Sequence, residues 1–216
     1  MQAQIFPSIP VPVPRDAIYR RLGYRRGTTR IDDRQEREIE QDIDYALSLI
    51  SLTGSALRVP IRETSPFLTV LETGDGFASE KLARFLEGCT ETLLMGATAG
   101  DAVMESIRGD TEREEMTRGV IVDAVASEMT DAALDWIAGY FNRLLTREQA
   151  RLTKGLFSAG YGDFLLENQR IMYALLGLGR IGVAINEHCI LIPEKSVTAV
   201  MGIQTVSYTH LRAHET

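Results

Sequence analysis

Cysteine is scarce: Cys89 and Cys189 are the only two in 216 residues. Far apart and in no CxxC spacing, they fit neither a disulfide framework nor a cysteine metal site, and both read as small buried apolar side chains. Histidine is nearly as rare at three. His210 and His214 have the i, i+4 spacing that can hold zinc on a helix, but the glutamate of H-E-x-x-H is missing, so no metal is expected. Long apolar runs are also lacking. No segment approaches the roughly 20 residues that span a bilayer, so no membrane partner is expected. The opening MQAQIFPSIPVPVPRD has no basic stretch followed by an apolar one, so a signal peptide is not expected and a cytoplasmic location is. Nor is there an excess of positive charge. With 23 Lys and Arg against 30 Asp and Glu, the net charge of −7 gives no bulk electrostatic reason to bind nucleic acid. What remains, 44% hydrophobic and 25% charged residues, is the composition of an ordinary globular protein with one good-sized core.

The stretch Gly177 to Gly182, GLGRIG, fits the G-x-G-x-x-G pattern of dinucleotide sites. That pattern needs the order strand, glycine turn, helix, because the phosphate must meet free N–H groups at a helix N-terminus. Here the order is reversed. Asn168 to Leu176 reads as an amphipathic helix and Val183 to Pro193 as a strand, so Gly177 and Gly179 read as a helix C-cap and turn.

Along the chain, residues 1–14 carry Pro7, Pro10, Pro12 and Pro14 and should run extended over the surface. Asp16 is expected to cap a short helix to Tyr24, and Asp32 or Asp33 to open a longer one with Ile39, Ile43, Ala46, Leu47 and Ile50 at helical spacing. Ser55 to Thr73 alternates apolar and β-branched residues broken by prolines, which predicts two short strands. A short helix over Ser79 to Leu86 and a buried strand over Thr90 to Thr98 come next, then a helix after Gly100 with Val103, Met104 and Ile107. The longest helix is predicted over Glu112 to Tyr140, with an apolar face from Met116 and Val120 to Trp136 and Ile137, and with small residues in its middle that invite close packing. Strands and helices interleave without a βα repeat. The expected fold is therefore α+β, a single domain (15–206) with a twisted antiparallel sheet packed against long helices. The tail Ser207 to Thr216 has no periodicity and reads as translated adaptor sequence rather than native protein.

Leu156 to Asp163, LFSAGYGD, holds the candidate chemistry. Two glycines flanking Tyr161 let the backbone bend and approach a ligand closely, with a ring and a carboxylate beside it. Spacing alone favours the plainer reading of a tight turn with a half-buried tyrosine.

FSAGYGDFLLENQ, the helix after it and IGVAINEHCILIPEKSVTAVMGI together resemble the activation (reactivation) domain of cobalamin-dependent methionine synthase and its free-standing relatives. Those proteins carry an R-x-S-P-G-Y-G-D or R-P-A-P-G-Y-P motif, then L-T-E-S and P-x-K-S-V-T-A segments. MGATAGDAVMESI and DAVASEMTDAALDWI extend the resemblance over roughly Ile18 to Ile203. The resemblance implies a domain that binds S-adenosylmethionine in a shallow groove and presents its methyl group to cob(II)alamin, carried by the cobalamin-binding module of methionine synthase or another corrinoid protein. A flavodoxin-like donor supplies one electron. It further implies that Ser158, Ala159, Gly160, Tyr161, Gly162 and Asp163 form the ligand turn, that Asp131 meets the ligand's amino group, and that Glu187 and Lys195 lie near the site or the corrinoid-facing surface. Glu187 and Lys195 read equally well as structural ion pairs or solvated charges. Two positions depart from the family pattern. Leu156 stands where the family has an arginine, and Ala159 where it has a proline. Lys154, expected on the same strand face as Leu156, is a candidate substitute, though an ammonium cannot reproduce a guanidinium's bidentate fork. The alternative is a non-catalytic docking module that has lost the ligand.

Overall fold

The computed structural model describes residues 1–25 and 28–205. The tail with His210 and His214 lies outside the described residues. The sheet is built around Glu91–Thr98 (β5), which is buried from Thr92 onward. A strand with no solvent face requires cover on both sides of its sheet. On its two edges β5 pairs with Thr53–Ser65 (β2) and Ser196–Thr205 (β9), setting Met95 opposite Ala56 and Ala199. Ala150–Leu152 (β6) extends the β9 edge, Leu68–Leu71 (β3) and Gly76–Ala78 (β4) extend the other, and Gln4–Phe6 (β1) also pairs with β2. All these pairings are antiparallel.

Alternation along β5 assigns the cover. Leu93, Met95 and Ala97 face a core with Met116–Arg147 (α5), whose Val122, Val125, Ala126, Ala133, Leu134 and Ile137 are buried. Arg15–Arg21 (α1), Asp33–Leu49 (α2) and Asp101–Glu112 (α4) add Ile18, Ile43 and Val103 to that layer. On the opposite face Leu94 packs with Leu82 of Glu80–Phe85 (α3) and Leu176 of Gln169–Leu176 (α6). Gly96 is required there, because a Cβ at that position would lie 2.8 Å from Leu178 Cδ2. The chain is thus one α+β domain with an antiparallel sheet packed against helices, as its composition and pattern predict.

Several boundaries differ from expectation. The N-terminal segment is not a surface strap. β1 adds to the sheet, the Ile9 N–H donates to the Leu52 carbonyl, and Phe6 and Ile9 are buried. The two strands expected over Ser55 to Thr73 are β2 and β3, divided at Pro66, but β2 runs unbroken for 13 residues through Pro60. Its pairing with β5 ends at Pro60 and its pairing with β3 begins at Ile61 beside a bulge, so the proline sits where the strand changes partner. α1 starts at Arg15 after Pro14, with Asp16 inside its first turn rather than capping it. Asp32 does cap α2, in a reciprocal capping box with Gln35. α5 starts at Met116 rather than Glu112 and continues to Arg147, leaving Met116 and Val120 exposed. Val183 to Pro193 is not one strand but a small hairpin of Ala184–Ile185 (β7) and Leu191–Ile192 (β8). Its turn forms because the Asn186 side-chain oxygen accepts from the His188 and Ile190 N–H groups, each at 2.9 Å. Gly177 is the left-handed C-cap of α6, as the order of elements requires, while Gly179 lies in a short 3₁₀ turn. Cys189 is buried but Cys89 is only half-buried.

Candidate functional site

After β6 the chain stays along the edge of β9. The Thr153 N–H donates to the Gly202 carbonyl, and Phe157 and Val200 exchange two hydrogen bonds of 2.9 and 2.8 Å. Between them Gly155, at φ +82°, turns the chain away from β9, so Lys154 and Leu156 do not share a strand face. The Phe157 ring anchors the start of the next turn by packing on Phe85 and Phe164, and Phe164 meets Phe77 edge to face. The turn from Ser158 to Asp163 is thereby pinned at both ends. The Gly160 N–H reaches the Phe164 carbonyl at 2.7 Å, and the Phe164 N–H returns to the Tyr161 carbonyl at 3.1 Å. Gly160 and Gly162 have φ of +93° and +63°, the left-handed region that glycine enters without strain, which accounts for both in the motif.

The turn and α5 enclose a groove of 420 Å³ whose wall includes Asp131, Asp135, Leu156, Ser158 and Tyr161. Asp131 and Tyr161, thirty residues apart in sequence, thus share one surface. Tyr161 is not the half-buried turn residue of the plainer reading; the residue is 71% exposed. Leu156 is exposed beside Asp131, and among the described residues no lysine or arginine lines this groove, Lys154 included.

Asp131 is held from the far side by Arg21, which reaches Glu128 at 2.5 Å and Asp131 at 3.4 Å. Burial pushes the Asp131 carboxyl above the ordinary carboxylate range against the opposing pull of Arg21, with Glu128 and Asp135 adding repulsion. A cation in the groove would relieve that repulsion. Arg21 lies 110 residues from Asp131, and no local pattern announced the pair.

The remaining expected residues play separate parts. Asp163 points away from the groove and caps α3. Its carboxylate accepts from the Ser79 hydroxyl and Glu80 N–H at 2.7 Å each and from the Lys81 N–H at 3.2 Å. The Ser79 bond foremost, then the two N–H groups, hold its carboxyl below the ordinary range. Gly162 lies against Lys81. Lys195 is tied to α5 by Asp123 at 2.7 Å and the Ser127 hydroxyl at 2.8 Å, the structural reading of that residue. Glu187 sits on the β7–β8 turn with its side chain 86% exposed, outside the groove, its carbonyl accepting from Arg170.

These features define a class: an antiparallel sheet crossed on one face by a long helix, with an exposed glycine–tyrosine turn laid beside that helix. A crystal structure of the MetH reactivation domain bound to AdoHcy is similar, with a TM-score of 0.61 and 12% identity over 94% of this chain and 78% of that one. At that identity the likeness establishes a shared fold. No family model matches the chain, and no curated protein matches it. Among the described residues no helix is long and apolar enough to cross a membrane, and no group of His, Cys, Asp and Glu is placed to hold a metal ion.

Proposed function

We propose that the chain is a reactivation-type domain that binds S-adenosylmethionine in the groove between α5 and the Ser158–Asp163 turn. The observation that carries this reading is the meeting of Asp131 with Ser158 and Tyr161 on one wall, in a fold shared with an AdoHcy-bound domain. The ligand's ammonium and sulfonium are cations, and Asp131 and Asp135 suit them. Tyr161 supplies an exposed aromatic face, and the backbone at Ala159 and Gly160 allows close approach. Gly162 and Asp163 act indirectly by fixing the turn against α3. Glu187, outside the groove, belongs to the surface offered to a corrinoid partner.

The partner is the cobalamin-binding module of a methionine synthase or another corrinoid methyltransferase. Asp131, Asp135 and Tyr161 would hold S-adenosylmethionine, which would supply the methyl group while a flavodoxin-like donor supplied the one electron that cob(II)alamin needs to become methylcobalamin, leaving AdoHcy. The protein's part is position rather than bond making.

Among the described residues the groove has no cation for the ligand's carboxylate, and that observation supports a second reading, a docking module that has lost the ligand. Titration calorimetry separates them. The first reading expects saturable heat with S-adenosylmethionine that falls sharply in Asp131→Ala; the second expects none in either protein.

A further inference from the structure

Behind Tyr161 lies a second cavity, of 210 Å³, which shares Ser158, Tyr161 and Val197 with the Asp131 groove and so continues it. Its volume is below the about 300 Å³ at which small-molecule pockets usually begin, so it has room for one ring system rather than a whole nucleoside. Ala159, Leu166, Leu191 and Val197 give it apolar walls. Its polar lining includes Gln169, which is 7% exposed and so more than nine-tenths buried. The Gln169 Oε1 accepts from the Thr198 hydroxyl at 2.8 Å, and among the described residues nothing accepts from its Nε2. Both Nε2–H donors of this amide are therefore free of partners among the described residues, and the nitrogen is not sealed from solvent, so a bound group in the cavity can accept from it. At the mouth stands the exposed carboxylate of Glu194. No lysine or arginine among the described residues lines the cavity, and Glu194 would repel an anion, so the ligand's carboxylate is not what it takes.

An amide donor beside a carboxylate acceptor, between apolar walls, complements a flat base that offers a ring-nitrogen acceptor next to an exocyclic amino donor. We propose that this cavity holds the base of the ligand and reads its amino edge, Gln169 Nε2 donating to a ring nitrogen and Glu194 accepting from the exocyclic amine. The site thereby selects 6-amino over 6-oxo purines, whose edge reverses both partners. This rests on the proposed function, and it adds the residues that set base specificity.

The test is calorimetric titration of the full chain with AdoHcy and with S-inosylhomocysteine, which differs only in carrying the 6-oxo base. The adenosyl ligand should bind about tenfold or more tightly, the value of one good hydrogen bond and one avoided repulsion. Glu194→Gln, an exposed substitution that leaves the core alone, should shrink that preference, because a carboxamide can accept from an amine or donate to a carbonyl. Gln169→Glu keeps the acceptor for Thr198 but turns the spare donor into an acceptor, and should weaken adenosyl binding by about tenfold at an unchanged melting temperature. If Gln169→Glu fails to fold, Glu194→Gln decides the matter. Equal affinity of the two ligands for the unaltered protein overturns the base assignment and leaves the groove reading standing. Binding of neither overturns both.

Discussion

Leu156→Arg places a guanidinium on a groove wall that has no lysine or arginine among the described residues, on the surface that holds Asp131 and Asp135. Leu156 is 41% exposed, so the substitution empties no sealed core position, and the arginine stem covers much of the same apolar surface. A charge-assisted hydrogen bond to the ligand's carboxylate is worth about 1.5 to 3 kcal/mol. Against it stands a competing surface pair with Asp131 or Asp135 in the free protein, worth about 0.2 to 1 kcal/mol. The net gain is about 0.5 to 2.8 kcal/mol, or roughly a 2- to 100-fold tighter dissociation constant for AdoHcy. Calorimetry at two ionic strengths should show the gain shrinking as salt rises. A carboxylate-free analogue, the decarboxylated sulfonium nucleoside, should gain nothing and should weaken as the new charge repels it. An unchanged or weakened affinity for AdoHcy, in a variant that melts like the parent, would refute the placement of the amino-acid end beside Leu156.

Two further predictions concern the scaffold. Asp110 is fully buried between α4 and α5 and is bonded to Arg118 at 2.6 Å and Arg113 at 2.8 Å, and the Arg118 bond foremost holds its carboxyl below the ordinary range. Asp110→Ala should cost about 1 kcal/mol in a denaturant melt, because the two guanidinium groups lose their common partner but, at 55% and 32% exposed, stay in contact with solvent. A depressed carboxylate stabilises above its unfolded value near pH 4 and loses that contribution as the pH falls through its lower folded value, so the variant should show a shallower acid limb. Asp163→Ala should release the turn from α3, reducing hydrogen-exchange protection at Glu80 and Lys81 and weakening ligand binding while the core stays protected. The parent's Asp163 is depressed too, so the same loosening should set in as acid protonates it, below the ordinary carboxylate range.

The elements that sequence alone revealed are those governed by neighbours in the chain. Asp32 and Gln35 announce the start of α2 through contacts three residues apart, and the unbroken apolar run of β5 announces a strand covered on both faces. Gly177 after an amphipathic run announces a C-cap, and that order of elements removes GLGRIG from consideration as a nucleotide site. Where partners from elsewhere in the chain decide the outcome, the local signal misled. Of the two prolines in this stretch Pro66 does divide β2 from β3, but Pro60 does not break β2, because it falls where β5 gives way to β3 as partner. The prolines after Phe6 suggest a strap, yet Ile9 is drawn into the core beside Gly54 and Ile137. The site divides the same way. The glycine–tyrosine turn is visible in its spacing, whereas the Arg21 clasp on Asp131, the Asp163 cap on α3 and the spare amide of Gln169 depend on residues 29 to 110 positions away.

If Asp131 and the Ser158–Asp163 turn form one ligand groove, a nuclear magnetic resonance titration of the labelled chain with AdoHcy will show it. Saturable amide shifts should be confined to Ser158 through Phe164, the α5 turn around Asp131 and the Gln169 cavity, with the same affinity at every affected amide and loss of the pattern in Asp131→Ala. Shifts absent at saturating ligand, or clustered instead around the α3 surface near Arg84 and Cys89, would contradict it.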